Sequence, residues 1–224
     1  MVFEHLRRRL RDETGFNFVE VLVVMSLLSI ILGYVLQTVA SVQSAAAGAE
    51  IRLENLDEAR TLMAVTSKDI RTAARLSATT SPFLLADDNE VTFYANLHMD
   101  TECPKKVHLH VDGSGRLIED VTEPDAGAAL PNCTYVNNDT RTRLVGRYIA
   151  NASTEPLFTY YYDNGGTQVA FSDTLTPLSS SDRLLVGGVG IRFSIRKDTT
   201  RQVAPTTLVN KVRLPNVNYN PIES

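Results

Sequence analysis

The fold is decided by residues 15–36, which read GFNFVEVLVVMSLLSIILGYVL. From Val21 to Ala49 the chain carries no charged side chain over 29 residues. A helix needs about 20 apolar residues to cross a bilayer, so this segment is long enough to span a membrane once. Four arginines lie among the first eleven residues, so the positive-inside rule places residues 1–15 in the cytoplasm. Everything after about residue 40 is therefore expected outside the cytoplasm.

One carboxylate, that of Glu20, lies at the start of this apolar run. Inserting an ionised carboxylate into a membrane costs roughly 2.5 to 3.5 kcal/mol, so Glu20 is expected to be paired, neutralised or functional. If the chain were cut after Gly15, the new amino group would lie on Phe16, four residues before Glu20. These positions are one helical turn apart, so the ammonium and the carboxylate could interact. In an assembly, Glu20 could instead meet the new N-terminus of a neighbouring subunit.

The run GFNFVEVLVV at residues 15–24 resembles the cleavage and methylation signal of type IV pilins and of the pseudopilins of type II secretion. The resemblance implies that a prepilin peptidase cuts after Gly15 and that Phe16 becomes the N-methylated first residue. It also implies that Glu20 aligns subunits during assembly. The implied partners are the prepilin peptidase, other pilin or pseudopilin subunits, an inner-membrane assembly platform and the membrane itself.

The apolar segment is also compatible with two simpler roles. A secretory signal peptide would use the small residues at 45–48 as its cleavage site, although the segment is long for the 7 to 15 apolar residues of such a signal. An uncleaved anchor would place Glu20 at the membrane interface.

The helical pattern continues beyond the apolar segment. One apolar stripe follows a helical period and consists of Leu56, Ala59, Met63, Ile70 and Ala73. No proline occurs before Pro82, so we predict one helix from about Phe16 to Leu76. The predicted organisation is a leader at 1–15, a hydrophobic assembly helix at 16–49, an amphipathic continuation at 50–78 and a globular head at 79–224.

After Pro82 the pattern changes to short strands and turns. Alternating apolar residues predict strands at 91–97, 105–111, 116–121, 157–162, 167–171, 189–195 and 208–214. The clearest hairpin uses the turn residues 163–166, which read DNGG. The head is therefore predicted as an antiparallel β-sheet against the helix, an α+β pilin-like fold.

Within the family, two segments resemble the J-type pseudopilins of type II secretion and the W-type minor pilins. These are residues 69–73 near the helix end and the final strand with Val212, Leu214 and Asn216. The resemblance implies a minor subunit that primes filament assembly or lies near the filament tip.

Cys103 and Cys133 lie well beyond the membrane segment, in an expected oxidising compartment. An even count favours one disulfide over two free thiols, and closing a loop of about 30 residues would stabilise the head by roughly 3 kcal/mol. In major pilins the bridge usually encloses a C-terminal loop, whereas residues 134–224 lie outside it here. This position favours a minor subunit.

Charge and motifs exclude several functions. The chain has 22 Lys and Arg against 26 Asp and Glu, so nucleic acid is not an expected partner. His108 and His110 share one side of a strand, with His98 as a candidate third metal ligand, but an exposed polar strand face is the favoured interpretation. No catalytic motif occurs. We therefore expect no metal, no cofactor and no enzymatic activity.

The sequence thus predicts a minor pilin or minor pseudopilin. Before assembly it would be a single-pass membrane protein with its leader in the cytoplasm and its head outside. It would then join a pilus or pseudopilus, at the cell surface or in the periplasm. A pilus-associated adhesin, a DNA-uptake component, a major pilin and a membrane-tethered enzyme are the alternatives.

Overall fold

The computed structural model describes residues 18–77, 79–95, 103–130, 132–136, 139–172, 176–200 and 203–218. The chain forms two compact units, Met1–Ala49 and Glu50–Ser224. Helix α1, Phe18–Arg71, contributes residues to both. In the second unit the end of this helix packs on antiparallel sheets, which confirms the predicted α+β architecture.

Helix α1 is 54 residues long and ends at Arg71, before the predicted end at Leu76. The residues that follow pair with a strand instead, since Ala73 forms an antiparallel bridge with Ala95. Backbone groups engaged in this way are not available to extend the helical hydrogen bonds. The continuation predicted over 50–78 is therefore helical only to Arg71.

Nine strands and a second helix follow α1 in the described ranges. The strands are β1 Phe83–Ala86, β2 Glu90–Ala95, β3 Lys105–Val111, β4 Leu117–Thr122, β5 Thr140–Gly146, β6 Phe158–Asn164, β7 Thr167–Ala170, β8 Val186–Ile195 and β9 Thr206–Arg213. Helix α2, Ser180–Leu185, lies between β7 and β8, and a 3-10 turn, Pro215–Asn218, follows β9. Strands β1 and β5 and helix α2 were not predicted.

The strands form two sheets where a single sheet was predicted. One has the order β1-β2-β3-β4-β5 and the other the order β7-β6-β8-β9, with all neighbours antiparallel. The β3–β4 and β6–β7 hairpins have short turns, whereas residues 147–157 connect the last strand of one sheet to β6 of the other. That connection lets the chain start a new sheet, and a bridge between Ile149 and Ile195 ties it to β8.

The buried face of α1 differs from the predicted stripe. Its fully buried residues are Asn55, Ala59, Leu62, Thr66, Ser67 and Ile70. Leu56 and Met63, which the stripe included, are half-buried at its border. Two of the three buried polar residues bond to the head, because the Lys197 N–H donates to Asn55 Oδ1 at 3.0 Å and Asn210 Nδ2 donates to Ser67 Oγ at 3.0 Å.

The core fills the space between α1 and the two sheets. Leu62 and Ile70 of the helix belong to the same buried cluster as Phe83, Phe93 and Tyr160 of the strands. The ring of Phe83 lies 6.2 Å from that of Phe93 and meets the ring of Tyr160 edge-on at 6.1 Å. Burying one such side chain contributes roughly 1.5 to 3 kcal/mol, so this cluster holds the helix end on the head.

The turn between β3 and β4 depends on one glycine. Gly115 has φ 69°, and an added Cβ would lie 2.5 Å from the carbonyl oxygen of Ile149. That oxygen cannot move aside cheaply, because the Ile149 N–H donates to the Gly115 carbonyl at 2.9 Å. We therefore expect Gly115→Ala to lower the free energy of unfolding by about 3 kcal/mol.

Urea unfolding of the full chain in detergent micelles, followed by tyrosine fluorescence, measures this loss. Gly113→Ala in the same turn is the matched control, because a Cβ there meets nothing within 4 Å. We expect the control to stay within about 0.5 kcal/mol of the parent chain. Equal stabilities for the two variants would contradict the proposed clash.

Candidate functional site

The first unit presents an apolar helical surface. The large apolar side chains from Phe18 to Val42 are exposed on all sides of α1. Soluble monomers rarely expose contiguous apolar patches larger than a few hundred Å², so lipid or other protein has to cover this surface. This part of the helix is long and apolar enough to cross a membrane.

The serine and threonine hydroxyl groups of the charge-free segment are satisfied inside the helix. Five of them donate to a backbone carbonyl three or four residues earlier, at 2.8 to 2.9 Å, and belong to Ser26, Ser29, Thr38, Ser41 and Ser44. Such bonds remove the need for water as an acceptor. The segment can therefore enter hydrocarbon, or a bundle of similar helices, without leaving these donors unpaired.

Glu20 is the charged group of this surface. It lies in the first turn of α1 and is exposed. The helix dipole favours a carboxylate at this end by roughly 0.3 to 1 kcal/mol. Gly15 and Phe16, the predicted cleavage and methylation positions, lie outside the described residues. The pairing of Glu20 with a new amino terminus therefore stays a prediction.

Cys103 and Cys133 form the predicted disulfide, with their Cα atoms 5.5 Å apart. Tyr135, which follows the bridge, stacks on Tyr94 of β2 at 5.7 Å and donates its hydroxyl to the carbonyl of Pro104. The bridge and this ring together hold the end of the irregular segment after β4 against the five-stranded sheet.

The structure adds two carboxylates to the histidine pair of β3. The rings of His108 and His110 stack with their centroids 4.7 Å apart. Asp120 of β4 lies opposite His108, and Glu90 of β2 lies opposite His110. Sequence reasoning did not single out Asp120, because its pairing with His108 depends on the observed register of the β3–β4 hairpin. His98, the candidate third ligand, lies outside the described residues.

A partly buried acid, Asp69, lies where α1 meets the five-stranded sheet. The Arg143 guanidinium lies 2.6 Å from Glu119 Oε2 and 3.7 Å from Asp69 Oδ2. Burial raises the pKa of Asp69 from 3.8 to about 7, and the charge of Glu119 and a hydrogen bond with it add to the rise. Arg143 and Lys68 oppose it. Asp69 is therefore mainly protonated below pH 7.

This raised pKa predicts a pH-dependent stability. The folded chain binds a proton at Asp69 that the unfolded chain releases near pH 4, so the stabilisation is complete below that pH and is lost as pH rises through 7. We expect Asp69→Asn to remove this decline. From pH 5 to pH 8, the free energy of unfolding of the parent should therefore fall by about 2 kcal/mol more than that of the variant. This figure is below the full linkage value because water still screens the site.

Urea unfolding at pH 5 and pH 8 measures the difference between the variant and the parent chain. Asp57→Asn is the matched control, because this exposed carboxylate lies on the same helix. The control should show the pH dependence of the parent. An equal decline in the Asp69→Asn variant would contradict the raised pKa.

Comparisons of the chain with protein-family models, with curated proteins and with solved structures found no match.

Proposed function

We propose that the protein is a minor pilin or minor pseudopilin, a structural subunit that primes or caps a type IV pilus or a type II secretion pseudopilus. The observation that carries the proposal is the exposed apolar helix with Glu20 in its first turn, which begins within the cleavage-like run at residues 15–24. In this role a prepilin peptidase removes residues 1–15, and the helix then leaves the membrane to pack among those of other subunits.

The exposed surface supports two successive environments. Lipid covers the side chains from Phe18 to Val42 in the membrane, and other apolar helices cover them in a filament. Both environments lack water, so apolar burial alone does not favour one over the other. A polar interaction has to make the transfer selective.

Glu20 supplies that selectivity. In lipid its carboxylate has no counter-ion and costs roughly 2.5 to 3.5 kcal/mol. In a filament it meets the terminal amine of a neighbouring subunit at Phe16, and an unpaired buried charge becomes a paired one. The subunit therefore prefers the assembly to the bilayer.

The head fits a position outside the cytoplasm. A disulfide between Cys103 and Cys133 is typical of an oxidising compartment. Residues 134–224 lie outside the loop that it closes, which favours a minor over a major subunit.

Co-purification from the native cells tests the proposed assembly. The chain, with a tag at its C-terminus, is cross-linked in intact cells and captured in mild detergent, and co-purifying chains are identified by mass spectrometry. We expect small membrane proteins whose precursor sequences carry a similar Gly-Phe-x-x-x-Glu run. The matched control replaces residues 1–49 with an unrelated signal and membrane anchor, and it should capture none of them.

Deletion of the protein separates the alternatives. If the protein is a priming subunit, its deletion should leave few or no filaments, or should abolish secretion. Normal filaments that no longer attach to surfaces or take up DNA would favour an adhesin or an uptake component instead. A full chain captured without any pilin-like partner would contradict the proposal.

A further inference from the structure

Three metal-ligating side chains converge on one face of the five-stranded sheet. We propose that His108, His110 and Asp120 bind a divalent transition-metal ion, with Zn²⁺ as the ion that fits their chemistry best. This site belongs to the head, and the proposed assembly through Glu20 does not depend on it.

The sheet register explains why these residues meet. His108 and His110 alternate with the buried Val107 and Leu109, so both imidazoles lie on the side of β3 that faces away from the core. Asp120 is the direct antiparallel partner of His108, and such partners have Cβ atoms about 4.5 to 5.5 Å apart. A carboxylate and two imidazoles are thereby fixed on rigid strands.

The ligand atoms lie close to the spacing that a metal needs. Asp120 Oδ2 is 3.8 Å from Nδ1 of His108 and 3.7 Å from Nδ1 of His110. Ligand atoms of the three residues all lie within 4.8 Å of one another. Tetrahedral ligands at about 2.0 to 2.1 Å from Zn²⁺ are roughly 3.4 Å apart, so a small rotation of each ring completes the geometry.

The separations of 3.8 and 3.7 Å between Asp120 Oδ2 and the two Nδ1 atoms are too long for hydrogen bonds. Nδ1 of His110 is also buried without a hydrogen-bond partner among the described residues. Leaving a buried polar atom unpaired destabilises a fold, so the arrangement calls for a further group between the three side chains. A metal ion would satisfy the Nδ1 lone pair and the carboxylate together.

The surrounding groups orient the ligands. Glu90 Oε2 lies 3.1 Å from Nε2 of His108, and a carboxylate can only accept, so Nε2 carries the proton and Nδ1 keeps its lone pair. Thr142 Oγ1 donates to Asp120 Oδ1 at 2.6 Å, which leaves Oδ2 directed at the rings. Outer carboxylates of this kind commonly fix the tautomer of a metal-binding histidine.

The donor set selects the class of ion. Two imidazole nitrogens and one carboxylate suit Zn²⁺ and related transition metals, whereas Ca²⁺ and Mg²⁺ prefer oxygen ligands alone. The three side chains are 24 to 31% exposed, so solvent can supply a fourth ligand. The sequence favoured a bare polar strand face for this histidine pair, and Asp120 is the residue that changes the interpretation.

Calorimetric titration of the untagged full chain in detergent, stripped of metal and then given Zn²⁺ alone, tests the proposal. We expect one Zn²⁺ per chain and no binding of Ca²⁺. His110→Ala and Asp120→Asn should each weaken binding by at least tenfold, and Glu90→Gln by about tenfold through the lost tautomer control.

Glu123→Gln is the matched control, because Glu123 pairs with Lys105 beside the same sheet and outside the cluster. It should retain the parent affinity, and circular dichroism verifies that every variant is folded. Because His110→Ala leaves the cluster with one imidazole, undiminished Zn²⁺ affinity in that variant would overturn the proposal. The absence of Zn²⁺ binding by the folded parent chain, or equal loss in Glu123→Gln, would also overturn it.

Discussion

Glu20→Ala is expected to leave the chain in the membrane, correctly cleaved after Gly15, and missing from filaments. The substitution removes the carboxylate that costs roughly 2.5 to 3.5 kcal/mol in lipid, so the variant has less to gain by leaving the bilayer. In the proposed filament it also leaves the terminal amine of the neighbouring subunit without its partner. A shift of about 3 kcal/mol lowers the incorporated fraction on the order of a hundredfold.

Quantitative blotting of sheared filaments against the membrane fraction measures this ratio. Glu50→Ala is the matched control, since Glu50 is an exposed carboxylate on the same helix beyond the charge-free segment. The control should assemble normally, and Glu20→Gln should fail like Glu20→Ala because charge and not size is the requirement. Incorporation of Glu20→Ala at the parent level would remove Glu20 from the proposed mechanism.

Gly15→Val is expected to stop processing altogether. The resemblance of residues 15–24 to a prepilin signal implies a peptidase that acts after a residue without a side chain, and valine adds a bulky β-branched group there. Without the cut no amine forms at Phe16, and the charged leader stays attached to the apolar helix. The variant should therefore accumulate in the membrane as the full chain of 224 residues.

The intact mass of the purified variant measures this effect. Gly33→Val is the matched control, because Gly33 lies in the same apolar helix, outside the signal, and a Cβ there meets nothing within 4 Å. The control should be cleaved like the parent chain. Cleavage of Gly15→Val at the normal position would contradict a prepilin-type signal.

The sequence predicted the parts of the fold that carry a strong apolar pattern. The charge-free run from Val21 to Ala49 predicts a helix, and the alternation in segments such as 189–195 predicts strands, since burial on one face requires that period. Strand β5 was not predicted because its Thr and Arg side chains from Thr140 to Arg143 are exposed and show no apolar period. Strand β1 and helix α2 are too short to show one.

The buried face of α1 and the division into two sheets depend on tertiary contacts and could not be predicted from the sequence. The buried face of α1 includes Asn55, Thr66 and Ser67, and an apolar pattern cannot identify polar residues that are buried, two of which bond to the head. The division into two sheets depends on which strands pair over long range, as β6 does with β8. Local patterns carry no information about such pairing.

The two candidate sites, Glu20 and the histidine cluster of β3, also differ in how far the sequence predicts them. Glu20 was recognisable because a charge in an apolar run is costly once the helix enters lipid. The histidine pair was visible as an alternation, but Asp120 became part of it only through the register of the β3–β4 hairpin. A site built from residues of neighbouring strands can therefore be predicted only when the strand register is known.

The claim that Glu20 pairs with a newly exposed amine is tested most directly by the N-terminus of the protein purified from its native cells. Intact-mass and peptide mass spectrometry should find that the chain begins at Phe16 and that its amino group carries one methyl group. A chain that begins at Met1, or one that begins after the small residues at 45–48, would contradict it.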